Sequence, residues 1–400
     1  PAPPLRNAKN PSRIPASIAL ARGLSTPLRQ PRAERVDCAP GLRGTRTHAG
    51  QPIVRRRGAA MTASFWLDAL VIVVGLAHAL ACWMYFVHVR RSWLWPLVWI
   101  AAALLTPPAA HFLSPLAYSA FAFAVAGWTG WWVTLRPRAD KNWIEENRHQ
   151  PTGRIVGDQL EIVNLRNFRW RRKRDWTECW ETRNYDLSGL RAVDLFLCTW
   201  GDPRIAHVML SFVFAEGPPL CFSIETRRER GERWTPYGGF MKAFELIALC
   251  GDERDLVESR IALRRERVRL YRVYTTPQMR LRLLARLVAF MNRLSRQPRF
   301  YNTLFANCTL ESARLVRDAG HRVPLDRRLI VSGGVDSYLY EQGLLAQSLP
   351  FAQLRAQADI SAKAREAIGA EDFSRRIRDG LVKPEPAPGD AGEEDAPSAA

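Results

Sequence analysis

No two of the seven cysteines stand in a C-x-x-C pair, which argues against a zinc ribbon or a thioredoxin-like redox site. Paired zinc ligands and an aromatic RNP strand are missing too, so the formal charge of +19 lacks the motifs that accompany nucleic-acid binding. That charge is also unevenly placed. Residues 1–60 hold twelve Lys and Arg against two acids, more than half of the excess, and the remainder is Arg-heavy with acids interspersed. Such a face suits the anionic headgroups of a bilayer better than nucleic acid. Residues 1–60 are also short of large apolar side chains. Rich in Pro, Arg, Ala and Gly and without any period, they are too poor in burial to offset the entropy of ordering and are expected to be unstructured. No methionine precedes Met61, which opens the first hydrophobic run. Translation is expected to start there, with a naturally made basic arm as the other reading. The tail 384–400 is Pro, Gly, Ala and acid and is expected to be unstructured.

What is there, first, is a hydrophobic block between about Phe65 and Leu135. Ala69 to Val87 is almost uninterruptedly apolar, about 28 Å as a helix and close to the hydrocarbon thickness of a bilayer. After Arg90-Arg91 a second run, Trp93 to Leu105, is expected to stop at Thr106-Pro107-Pro108, and a third spans Leu116 to Leu135. Two to three crossings follow, with Trp93, Trp95, Trp131 and Trp132 near segment ends where indoles favour the interface. The block is too long and too repeated for a cleavable signal. Orientation stays open: Arg90 and Arg91 ask for a cytoplasmic first loop, as do Arg136, Arg138 and Lys141 after the last run, whereas three crossings from the cytoplasmic start that the basic leader favours would put the globular domain outside.

From about Asn142 to Gly380 the pattern becomes that of one globular domain. Strand-like runs occur at Gln159–Leu165, Thr177–Tyr185, Arg191–Trp200, Ile205–Phe214, Leu220–Thr226, Phe244–Leu249 and Val268–Tyr274, β-branched or aromatic with turn signals between them. A short helix is expected after Asp252-Glu253-Arg254. Pro277 opens a longer one to about Arg296, and another starts near Cys308 and stops at Gly320. Strands before helices read as α+β.

Three histidines lie beyond the hydrophobic block: His149, His207 and His321. In Ile205-Ala206-His207-Val208-Met209-Leu210-Ser211, alternation puts His207, Met209 and Ser211 on one face. A hairpin turn at Glu216-Gly217-Pro218 leads into Cys221-Phe222-Ser223-Ile224-Glu225, and the register that follows sets Ser223 opposite Met209 and Glu225 opposite His207. A carboxylate beside an imidazole fixes its tautomer. Cys308, at a predicted helix start, would gain thiolate character from free backbone N–H groups and the positive dipole end. Its own N–H with the amide of Asn302 or Asn307 would make an oxyanion hole. A strand histidine is equally an ordinary structural residue and a cysteine a small buried hydrophobe, so spacing alone leaves both readings open. Cys179, Cys198, Cys221 and Cys250 fall in strand-like runs as core or disulfide residues. Arg227, with Arg228 and Arg230, is a solvated edge or a contact for lipid phosphate.

Val163-Asn164-Leu165-Arg166-Asn167-Phe168, Ala206-His207-Val208-Met209-Leu210-Ser211-Phe212, Ser223-Ile224-Glu225-Thr226-Arg227, Phe300-Tyr301-Asn302 and Asn307-Cys308-Thr309 together resemble the Lnb N-terminal periplasmic domain family, over roughly residues 142–380. The order of histidine before an Asn-Cys helix start is similar, more loosely, to circularly permuted papain-like folds of the lecithin:retinol acyltransferase type, an antiparallel sheet with helices. The family likeness implies a periplasmic domain at the bacterial inner membrane, three crossings from a cytoplasmic start, and acyl transfer from phospholipid to the amino group of a lipoprotein. It implies Cys308 as nucleophile, His207 as base and then acid, and Glu225 as orienter, with Ser223, Tyr301, Asn302, Asn307 and Arg227 as candidates for substrate or oxyanion contacts. No metal or organic cofactor is required by this chemistry. The rival readings are a cysteine amidase, peptidase or lipase of the envelope, and a noncatalytic tethered binding module.

Overall fold

The computed structural model describes residues 53–172 and 175–385; the expectations for most of the leader and for the tail beyond residue 385 fall outside them. Helix α1 runs Ile53–Cys82 and continues as a π-turn at Trp83–Val87, so residues 53–60, expected to be unstructured, are helical. Extending an existing helix costs far less than nucleating one. Helix α2, Leu94–Phe112, passes through Pro107-Pro108 rather than ending before them. The two prolines remove the donors to the Ala103 and Leu104 carbonyls, a loss that apolar helices tolerate where neighbouring helices, hydroxyl side chains or local adjustments support the turn; just before the pair, the Thr106 hydroxyl bonds the Ala102 carbonyl at 2.7 Å. Helix α3 is Leu116–Thr134. Ala63–Val87 and Leu94–Phe112 are long and apolar enough to cross a membrane. Helix α3 matches α2 in length and carries no charged residue, but its Trp, Tyr, Ser and Thr make it less apolar.

The three helices run up, down and up. At one end His111 of α2 meets Asp68 of α1 at 2.9 Å, and Tyr118 of α3 bonds the same carboxylate. At the other end the globular domain packs on them. Arg90 reaches Glu232 at 3.2 Å, Lys141 reaches Glu245 at 2.7 Å, and Lys242 Nζ donates to the carbonyl of Trp132 at 3.0 Å. Two of the basic residues that bear on orientation, Arg90 and Lys141, are thus partnered by domain acids.

The domain is built on an eight-stranded sheet. Its strands are β1 (Thr152–Val156), β2 (Gln159–Arg166), β5 (Trp180–Asp186), β6 (Leu190–Thr199), β7 (Ala206–Phe214), β8 (Leu220–Arg227), β9 (Glu245–Asp252) and β10 (Arg267–Val273), while β3 (Arg169–Arg172) and β4 (Asp175–Thr177) form a separate ribbon. The order is β1-β2-β9-β8-β7-β6-β10 with β5 beside β2. Pairing is antiparallel except between β2 and β9, which touch in parallel at Arg166 and Gly251. The mixed α+β class follows directly.

Helices cover both faces. One face, with Val208, Leu210, Phe212, Phe222 and Ile224, packs against α6 (Pro277–Arg296) and α7 (Cys308–Asp318). In α6 the Thr276 side chain caps the Met279 N–H, Pro277 sits in the first turn, and Leu283, Leu284, Leu287, Val288, Met291 and Leu294 form one buried stripe at helical spacing. Beyond α7, α8 (Val335–Glu341) and α9 (Phe351–Gln357) complete that side. The opposite face, with Phe196, Cys198, Met209 and Cys221, is covered by α4 (Glu253–Leu256), α5 (Glu258–Ala262), α10 (Ser361–Glu366) and α11 (Phe373–Arg376). Cys82, Cys179, Cys198, Cys221, Cys250 and Cys308 are all free thiols.

Candidate active site

The site lies where β7 and β8 part. Their hairpin turns at Gly217, whose φ of 79° is open to glycine without a Cβ penalty, and their ladder pairs Phe212 with Leu220 through Met209 with Ser223, the predicted register. Past Met209 the paired residues stop. There the His207 ring nitrogen Nε2 stands 2.7 Å from Ser223 Oγ, Ser223 Oγ donates to Glu225 Oε1 at 2.8 Å, and Nε2 is 3.6 Å from that same oxygen. Because the Ser223 proton goes to the carboxylate, its oxygen accepts from His207, so Nε2 carries the ring proton. Nδ1 is then the basic nitrogen, an assignment made from the hydrogen-bond pattern. Glu225 therefore orients the imidazole through Ser223, which is a relay instead of a substrate contact.

Cys308 is the first residue of α7, capped by Asn307, whose Oδ1 accepts from the Leu310 N–H at 2.8 Å. Helix α7 stacks on the face that carries Val208, while alternation turns His207 to the other face beside Met209. The thiol lies at the end of the β7–β8 ladder, against the backbone N–H of Val208 and 3.8 Å from Thr309 Oγ1. Among the described residues the thiol and the imidazole share no hydrogen bond; both line one cavity. That cavity, about 790 Å³, is lined by His207, Glu225, Arg260, Tyr301, Asn307 and Cys308 among others.

Burial sets the charge states. It pushes the Cys308 thiol above its ordinary range, the Val208 N–H and the Thr309 hydroxyl offsetting this only in part, so the depressed thiolate expected from a helix start does not form at rest. Desolvation outweighs the helix end. His207 is lowered to about 3, first by burial and then by the Arg260 guanidinium. Burial works to raise Glu225, but Arg260, 2.7 Å away, holds it well below the usual carboxylate range. The resting site is neutral thiol, neutral imidazole and carboxylate. Tyr301, on the same cavity, has its phenol pushed up by burial and by the proximity of Cys308 and Glu225.

Two sequence candidates are placed elsewhere. Asn302 does not line the cavity: its Oδ1 accepts from the N–H groups of Leu304 and Phe305, both at 3.0 Å, and closes a turn. Arg227 is buried and structural, donating to the carbonyls of Asn147 and Arg148 at 3.0 and 2.6 Å and stacking on Trp143. Its position on an inward-facing part of β8 outweighs the appearance of a basic edge. Asn307 does line the cavity, but both ends of its amide are committed to the helix cap and to the Thr303 carbonyl. Sequence reasoning missed Arg260. Its signal was available: in Leu256-Val257-Glu258-Ser259-Arg260-Ile261 it falls on the apolar stripe, where a charge needs a buried partner, here Glu225 and Glu266. Among the described residues no group of three or more His, Cys, Asp or Glu side chains gathers to hold a metal ion.

Residues 176–333 match the family model of the Lnb N-terminal periplasmic domain. Over those residues the chain is similar to this family. The match covers β5 to β10, α6 and α7 with all of the candidate residues, a narrower stretch than residues 142–380. No curated protein and no solved structure matches the chain. An Lnb N-terminal periplasmic domain behind two helices able to cross a membrane fits a membrane-anchored protein whose domain faces the periplasm.

Proposed function

We propose that this protein is a thiol acyltransferase of the bacterial inner membrane, anchored by three crossings, that moves an acyl chain from a phospholipid to the free amine of a lipoprotein. The observation that carries this reading is the shared cavity, lined both by a helix-start thiol and by a strand imidazole whose Nε2 is tied through a hydroxyl to a carboxylate. A histidine held in one tautomer next to a thiol is the arrangement nucleophilic catalysis uses. The order of strand histidine before Asn-Cys also supports reading the domain as a permuted papain-like fold.

In the first step the Cys308 sulfur attacks the ester carbonyl as its proton passes to His207 Nδ1. The developing oxyanion is met by the Cys308 N–H and the Tyr301 hydroxyl. Collapse breaks the ester C–O bond, and His207 returns the proton to the departing lysophospholipid oxygen. In the second step an amine attacks the thioester, His207 takes its proton, and the thiol is regenerated with an amide as product. Since the resting thiol is protonated and buried, proton transfer accompanies attack rather than preceding it. Glu225, through Ser223, stabilises the transient imidazolium. Confinement of the donor to the bilayer makes tethering useful, because a tether raises effective concentration.

Purified protein given phospholipid vesicles and a lipopeptide with a free amino terminus tests the assignment. Lysophospholipid and N-acylated peptide in equal amounts are expected. Free fatty acid with unmodified peptide would make it a hydrolase, and the absence of both products from folded protein would leave a binding module.

A further inference from the structure

The mouth of the cavity is apolar in a way the chemistry at Cys308 does not require. Trp234, Leu304, Ile330 and Val331 line it while remaining 37%, 41%, 45% and 50% exposed, and Phe305, next to Leu304, is 68% exposed. They come from three separate stretches of chain, so the patch is assembled by the fold. Exposed apolar surface grouped around a cavity marks a contact with something apolar. Its position indicates what. Pro236 lines the same cavity and its carbonyl accepts from Thr303 Oγ1 at 2.8 Å, locking the two stretches together. The next residue, Tyr237, stacks on Trp83 and His88, ring centroids 5.5 and 5.0 Å apart, at the end of the first membrane helix. Adjacent Cα atoms are about 3.8 Å apart, so the mouth begins within one residue of the point where that helix leaves the membrane. Aromatic residues at such a level partition into the interface.

We propose that the mouth formed by Trp234, Leu304, Phe305, Ile330 and Val331 is seated in the acyl layer of the leaflet from which the helices emerge, so that a lipid chain enters the cavity sideways from the bilayer without crossing water. The seating stands on the surface alone; delivery of the chain to Cys308 rests on the acyl-transfer reading above.

The test uses the full chain in phosphatidylglycerol–phosphatidylethanolamine vesicles with a photo-crosslinking benzophenone amino acid at Phe305, and separately at Ile155, an exposed apolar position outside the mouth. Illumination is expected to give lipid adducts at position 305, at least tenfold above those at 155, seen by intact mass. Equal yields at the two positions, or adducts at 305 to protein only, overturn the seating. In a second arm, Phe305→Asp is expected to lower Cys308 acylation from bilayer phospholipid at least tenfold more than acylation from a water-soluble short-chain ester. Equal loss on both esters overturns the sideways route. If the wild type acylates Cys308 from neither ester, the acyl-transfer reading has failed, and the crosslinks still decide the seating.

Discussion

Removing the hydroxyl of Ser223 probes the step from hydrogen-bond pattern to chemistry. Ser223 is fully buried and its oxygen makes two bonds, 2.7 Å to His207 Nε2 and 2.8 Å to Glu225 Oε1. The first contributes about 1 kcal/mol and the second, ending on a carboxylate, about 1.5–3 kcal/mol. His207 and Glu225 already approach within 3.6 Å, so in Ser223→Ala they close on each other and recover part of this; the net loss of stability is about 2 kcal/mol. The rate effect arises differently. Without the relay the imidazole samples both tautomers and other orientations, and a loss of about 1.4–2.8 kcal/mol of orientation corresponds to roughly 10–100-fold in the acylation step. Single-turnover acylation of Cys308 followed by intact mass, with thermal unfolding of the same detergent-solubilised sample, reads both quantities. Unfolding that shifts down while acylation stays within about twofold of wild type would refute the reasoning, making Ser223 a core hydroxyl only.

Other outcomes follow from the same geometry. His207 titrates at about 3 in the fold against an ordinary 6.5, so the unfolded chain binds more protons between those values. Its contribution to stability is therefore complete above about pH 6.5 and lost as pH falls toward 3, with a slope of up to about 1.4 kcal/mol per pH unit. Thermal unfolding from pH 7 to 4.5 is expected to steepen in wild type relative to His207→Gln; parallel curves would contradict the burial of a neutral imidazole. Replacing Arg260 by Gln removes a cation that lowers both His207 and Glu225, so the His207 resonance in NMR titration is expected to move to higher pH, and an unchanged midpoint would exclude the coupling. Asn307→Ala removes the cap of α7, costing about 1 kcal/mol with loss of the Cys308 position, whereas Asn307→Asp keeps an acceptor and restores stability; equal melting of the two would show that the cap does not hold this helix.

Much of the fold was legible in the chain because its signals are local. Short runs rich in β-branched and aromatic residues, with turn signals between them, marked β2 and β6 to β10, Pro277 and Gly320 bounded α6 and α7, and the Glu216-Gly217-Pro218 turn set the register that pairs Met209 with Ser223. The parallel contact between β2 and β9 was not legible, since residues this far apart carry no local cue to each other. Nor was the continuation of α2 through Pro107-Pro108, where an apolar surrounding overrides a breaker that would end a helix in water. At the site, sequence located the thiol, the imidazole and the carboxylate. It could not show that Ser223 stands between the last two, because that depends on side-chain reach across a ladder, nor that burial would keep the thiol protonated against the pull of the helix end. Arg227 and Asn302 looked like reactive-site polar groups and are committed to carbonyls and a turn, a distinction made by tertiary contacts alone.

The account rests on a covalent bond to one sulfur. Full-length protein mixed with phospholipid vesicles, quenched in acid and weighed intact, is predicted to gain the mass of a single acyl chain, mapped by digestion to Cys308, absent from Cys308→Ala and from wild type treated with hydroxylamine. An acyl adduct that persists in folded Cys308→Ala, or that maps to another residue, would contradict it.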